Sequence, residues 1–81
     1  MSSWDKLLKK LYSLSSELKY SDLKKILERY GFTARETRGG SSHVTFYKKG
    51  CAPITIPRHK EIKKIYIRMV RDAVIKEEMK K

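Results

Sequence analysis

Two short runs of alternation, His43–Lys48 and Ala52–Pro57, joined by Lys49-Gly50, constrain this chain more than any other feature. In the first run Val44 and Phe46 fall on one face, and His43, Thr45 and Tyr47 on the other. In the second, Ala52, Ile54 and Ile56 alternate inward against Pro53, Thr55 and Pro57. A period of two on both sides of a glycine turn predicts a hairpin that is apolar on one face only. Two prolines without N–H groups place the second run at a sheet edge. Upstream, Phe32–Arg38 reads as a weaker strand, with Phe32 and Ala34 opposite Thr33, Arg35 and Thr37. The flexible Gly39-Gly40-Ser41-Ser42 turn then leads into His43.

An apolar sheet face must be covered, and the flanking segments have helical periodicity. Ser2 or Ser3 can cap a first helix carrying Trp4, Leu7, Leu8 and Leu11, with Lys6, Lys9 and Lys10 opposite; it is expected to fray near Ser13–Ser16. Such a basic amphipathic helix suits a membrane surface, but a core-facing stripe is the plainer reading. In the second helix Ser21 is the expected N-cap and Asp22 suits the positive end of the dipole. Leu23, Ile26, Leu27 and Tyr30 form its buried face, and Gly31 supplies a left-handed stop. A third begins near Ile62, with Ile62, Ile65, Tyr66, Met69, Val70, Ala73 and Val74 at spacings of three and four; the tail after Glu77 is expected to fray. The order α-α-β-β-β-α predicts an α+β fold, a three-stranded antiparallel sheet with helices on one face. His43, Thr45, Tyr47, Thr55 and Arg35 should then populate the open face or its rim.

Charge narrows the choice of partner. Twenty Lys and Arg against nine Asp and Glu give a formal +11 over 81 residues. Residues 31–60 carry +5 of this and each flank +3. A polyanion is the expected partner, because phosphate contacts gain affinity by releasing counterions. No apolar run exceeds three residues, so no membrane span is expected, and no signal-peptide pattern opens the chain. The single Cys51 reads as a small strand residue, and the lack of a cysteine framework fits a cytoplasmic protein. One domain over 1–81 is expected, with no internal repeat or linker.

The same residues limit the chemistry. His43, Cys51 and His59 lack the close pairing of metal ligands, so neither a metal nor another cofactor is expected. Glu36 is the sole carboxylate of the strand region, too few for two-metal nuclease chemistry. Gly39-Gly40 lacks the ending of a phosphate-binding loop. A Ser42–His43 dyad is disfavoured, because neighbouring strand residues point apart.

What survives is acid–base chemistry on RNA, which carries its own nucleophile in the 2′-OH. It needs a base, cations to stabilise the transition state and a proton donor for the leaving 5′-oxygen. Imidazole titrates in the range a base requires at cytoplasmic pH. Arg38, Lys48, Arg58 and Lys60 are candidates to neutralise phosphate. His59, before the last helix, is a candidate phosphate contact, loop residue or second acid–base group. On composition alone, His43 reads more simply as a polar residue on a solvated face.

A resemblance changes that weighting. Ser21-Asp22-Leu23-Lys24-Lys25-Ile26-Leu27, Gly31-Phe32, Arg38-Gly39-Gly40-Ser41-Ser42-His43, Phe46 and Thr55-Ile56-Pro57-Arg58-His59 occur in an order and spacing similar to the HicA toxin family. These are small mRNA interferases of toxin–antitoxin pairs. Trp4-Asp5-Lys6-Leu7-Leu8 resembles the N-terminal extension of one branch. The likeness implies a double-stranded-RNA-binding-domain-like core over 20–78 with a helical extension over 1–19. It also implies metal-independent cleavage of mRNA and neutralisation by a HicB-like antitoxin that covers the active face. The family's catalytic histidine maps onto His43 and the preceding serine onto Ser42; RNA contacts are then expected from Arg38, Ser42, Lys48, Arg58, His59 and Lys60. Two departures stand out: Ser41 replaces a glycine, and Val44 replaces the second histidine. Two rival readings are a non-catalytic RNA-binding module of the same shape and a DNA-binding or purely structural, antitoxin-like partner. The second lacks a helix-turn-helix, since Gly31 leads into strands.

Overall fold

The computed structural model describes residues 3–36, 43–59 and 61–80. Among these, the chain runs α1 (Ser3–Tyr12), α2 (Tyr20–Arg29), β1 (Thr33–Glu36), β2 (His43–Tyr47), β3 (Ile54–Pro57) and α3 (Lys64–Met79). The strands form an antiparallel sheet in the order β1-β2-β3. This is the expected α+β architecture, with the proline-bearing strand at an edge.

The alternation in β2 positions everything else. Val44 and Phe46 are fully buried, whereas His43 and Tyr47 are exposed. Ile54 and Ile56 continue the apolar face on β3. Leu23, Ile26 and Leu27 of α2 and Ile67, Val70 and Val74 of α3 join them in one core, with Leu11 of α1 and Leu18. Burying Phe46 alone contributes roughly 1.5–3 kcal/mol relative to leaving it in water. The helices lie against α2–β1 and α3–β3 contacts, and α1 packs on α2 and α3.

Several local expectations are corrected. Helix α2 starts two residues early, with Lys19 as its N-cap and Ser21 inside the first turn. Asp22 explains this: its Oδ2 accepts the Lys19 backbone N–H at 3.0 Å, which satisfies the cap amide. The helix closes as expected at Gly31, whose φ is +94°. Gly31 donates to the Glu28 carbonyl and Phe32 to the Leu27 carbonyl, the paired bonds of a Schellman ending. The end of α1 closes by the same pattern: Leu14 donates to Leu11 and Ser15 to Lys10, with Leu14 itself at φ 55°. The fraying expected at Ser13–Ser16 is therefore replaced by a bonded turn, and Leu14 packs against the core.

Strand β3 begins at Ile54; Ala52, expected inside it, is exposed in the preceding turn. Cys51 is also a turn residue, its N–H donating to the Lys48 carbonyl at 3.0 Å. Pro57, expected to face outward, is buried where the strand ends and the chain turns toward the buried Ile62.

Helix α3 is rotated from the expected phase. Its buried stripe is Ile67, Val70, Val74 and Glu77, whereas Ile65 and Met69 are exposed. The helix also continues past Glu77 to Met79. Polar contacts anchor that last turn: the Tyr30 hydroxyl donates to Glu78 Oε1 at 2.7 Å, and Lys80 Nζ lies 2.9 Å from Glu77 Oε2. Burial, reinforced by that bond to Glu78, holds the Tyr30 phenol well above its usual pKa.

Candidate functional site

The face of the sheet opposite the helices holds the candidate site. His43 opens β2 on this face, exposed, between a strand anchored by Val44 and the segment that precedes it. The antiparallel register sets His43 opposite Pro57, so Arg58 and His59 follow directly from the residue facing it. Both are exposed. The chain just past β3, at Arg58 and His59, therefore lies at the same end of the sheet as His43. Arg38, Ser42 and Lys60 lie outside the described residues.

The next row across the sheet is Arg35, Thr45 and Thr55. The Thr45 and Thr55 hydroxyl oxygens are 3.0 Å apart and share a hydrogen bond. Beyond them stands Tyr47, 45 % exposed, with the Arg35 guanidinium carbon 5.5 Å from its ring centre. Side chains of alternate residues sit roughly 6.7 Å apart along a strand, so His43, Thr45 and Tyr47 form a row on one face of β2.

Lys48 is placed elsewhere. It has the same parity as Val44 and Phe46, which carries its side chain to the helix side of the sheet. There its Nζ pairs with Glu77 Oε1 and donates to the Tyr30 carbonyl. Glu77 is 6 % exposed, so this is a largely buried ion pair that ties the end of α3 to the end of α2. The parity of position 48 was the sequence signal for it; its charge had pointed to phosphate.

Val44, where the family pattern has a second histidine, is fully buried. A histidine there would lie under the sheet, away from the open face. A cavity of about 500 Å³ also lies on the helix side, between α3 and the β2–β3 turn, and includes none of the open-face residues. Among the described residues no group of three or more His, Cys, Asp or Glu side chains is placed to hold a metal ion. No described helix is long and apolar enough to cross a membrane.

No curated protein and no solved structure gives a match to this chain. A family model does, described as the HicA toxin of bacterial toxin–antitoxin systems, over residues 20–77. That span takes in α2, the whole sheet and most of α3, including both strands that bring His43, Arg58 and His59 to one end. With that match over most of its length, the chain belongs to the HicA toxin family, the toxins of toxin–antitoxin pairs.

Proposed function

We propose that this chain is a metal-independent endoribonuclease that cleaves mRNA, with His43 as its general base. The observation that carries this reading is the placement of His43: exposed, on the sheet face opposite the helices, and fixed by a strand whose neighbouring residue is fully buried. A base on such a rigid element holds its position relative to a bound substrate.

His43 takes the proton from a ribose 2′-OH. The 2′-oxygen attacks the adjacent phosphorus, the bond to the 5′-oxygen breaks, and that oxygen leaves with a proton. The products carry a 2′,3′-cyclic phosphate and a 5′-OH. Arg58, one residue beyond the position opposite His43, is proposed to stabilise the negative charge that builds on the phosphoryl oxygens. Arg38, Ser42 and Lys60 are proposed to bind RNA on the family pattern alone, and Lys48 is better assigned to the buried pair. His59, a lysine and water remain the candidates for the leaving-group acid. In the cell, a HicB-like antitoxin would silence the protein by covering this face. The core over 20–78 is proposed to be double-stranded-RNA-binding-domain-like, with 1–19 as its helical extension.

End-group analysis of the cleaved RNA tests the mechanism. A cyclic phosphate and a 5′-OH are expected; 3′-OH and 5′-phosphate ends would refute it. Tight RNA binding without any cleavage would favour the non-catalytic module of the same shape.

A further inference from the structure

We infer that Tyr47, with Arg35 beside it, is a stacking platform for an unpaired nucleobase flanking the bond His43 cleaves. The bound stretch of substrate is then single-stranded RNA. Naming the cleaved bond rests on the proposed function; the platform itself does not.

The argument starts from the cost of an exposed aromatic ring. Phe46 and Val44 fill the core, whereas Tyr47 presents its ring to solvent at the end of the same strand. Its cross-strand partner is Thr33, a small exposed residue, so the ring is not walled in on that side. Arg35 lies diagonally across, its guanidinium 5.5 Å from the ring centre. The guanidinium lies over one face of the ring, so the pair forms a cation–aromatic unit whose exposed side a base can stack on. A nucleotide supplies the complement, a π-face for the ring and a phosphate for the guanidinium.

Geometry links the platform to His43. They are four steps apart along β2, so they stand about 13 Å apart on one face. On that face of β2 Thr45 lies between them, small and tied to Thr55. That separation suits a base on a nucleotide beside the cut, not the base of the attacked ribose. Charge supplies the rest: the molecule carries +11, most densely in residues 31–60, which include this face. A strand of RNA lying from His43 to Tyr47 keeps its backbone near Arg35 and Arg58. Stacking needs an unpaired base, which a duplex does not offer.

The test uses the full chain with His43→Ala, so that the probe is not consumed, and a short single-stranded RNA containing 2-aminopurine. Binding is expected to quench the 2-aminopurine fluorescence. Tyr47→Leu should abolish the quenching and weaken binding roughly 5- to 100-fold. Tyr47→Phe and Tyr47→Trp should retain both, which also guards against misfolding. Affinity for a duplex of the same sequence should not change. Unaltered single-strand affinity and quenching in Tyr47→Leu would overturn the platform, as would equal losses on single strand and duplex. The two readings fail separately. If the parent chain binds but does not cut RNA while Tyr47→Leu still loses single-strand affinity, the platform stands and the nuclease falls. If His43-dependent cleavage persists in Tyr47→Leu with an unchanged KM, the platform falls and the nuclease stands.

Discussion

Replacing Lys48 with methionine separates a structural role from a phosphate-binding one. Glu77 is 6 % exposed and Lys48 29 %, with Lys80 as a second, mostly exposed cation 2.9 Å from the same carboxylate. Removing one partner from a fully buried pair costs about 3–5 kcal/mol, because the remaining charge is stranded. An exposed pair is worth about 0–1 kcal/mol. Lys80 remains to compensate Glu77, so Lys48→Met should cost about 2 kcal/mol, between those limits. A domain of this length has a total stability of roughly 4–12 kcal/mol, so the loss is a large share. With a urea slope of about 1 kcal/mol/M, the unfolding midpoint should fall by about 2 M. The double variant Lys48→Met/Glu77→Leu should recover most of that, since apolar replacement of a buried pair is often neutral. RNA binding should keep its salt dependence, whereas loss of a phosphate contact would lower the slope by about 0.7–0.9. A midpoint close to that of the parent, together with a reduced salt slope, would refute the buried-pair reasoning.

Other expectations follow from the same contacts. Phe46 is fully buried and packs near Tyr20, ring centres 6.3 Å apart, so Phe46→Ala should cost about 3–5 kcal/mol by urea unfolding; a loss under about 1 kcal/mol would contradict the core assignment. The Tyr30 phenol has a folded-state pKa raised above its unfolded value, so its contribution is present below about pH 10 and is lost as pH rises through the folded value. Stability should therefore fall with pH above about 10 in the parent, and less steeply in Tyr30→Phe; identical slopes would refute the assignment. RNA affinity should drop steeply with added salt, and a flat response would contradict a binding face built on Arg35 and Arg58.

Strand β2 was the most legible part of this sequence because its period of two is unambiguous. Val44 and Phe46 could point only one way once His43 and Tyr47 pointed the other. Helix α3 was less legible because its apolar residues surround it. Ile65, Ile67, Met69, Val70, Val74 and Ile75 permit more than one buried stripe, and contact with β3 selects the one through Ile67. Glu77 continues that stripe three residues after Val74, yet a carboxylate near the chain end reads as a solvated tail. Its partner, Lys48, is 29 residues away, and no local pattern joins them. The candidate site shows the same division. Alternation placed His43 on the open face, but the approach of Arg58 and His59 depends on strand register, which sequence leaves open by a residue.

The most direct test of the central claim is RNA cleavage in EDTA by the purified chain, beside a His43→Ala variant shown by circular dichroism to be folded. Cleavage by the parent and none by the variant is the predicted result. Equal cleavage by both would contradict the assignment of His43 as the catalytic base.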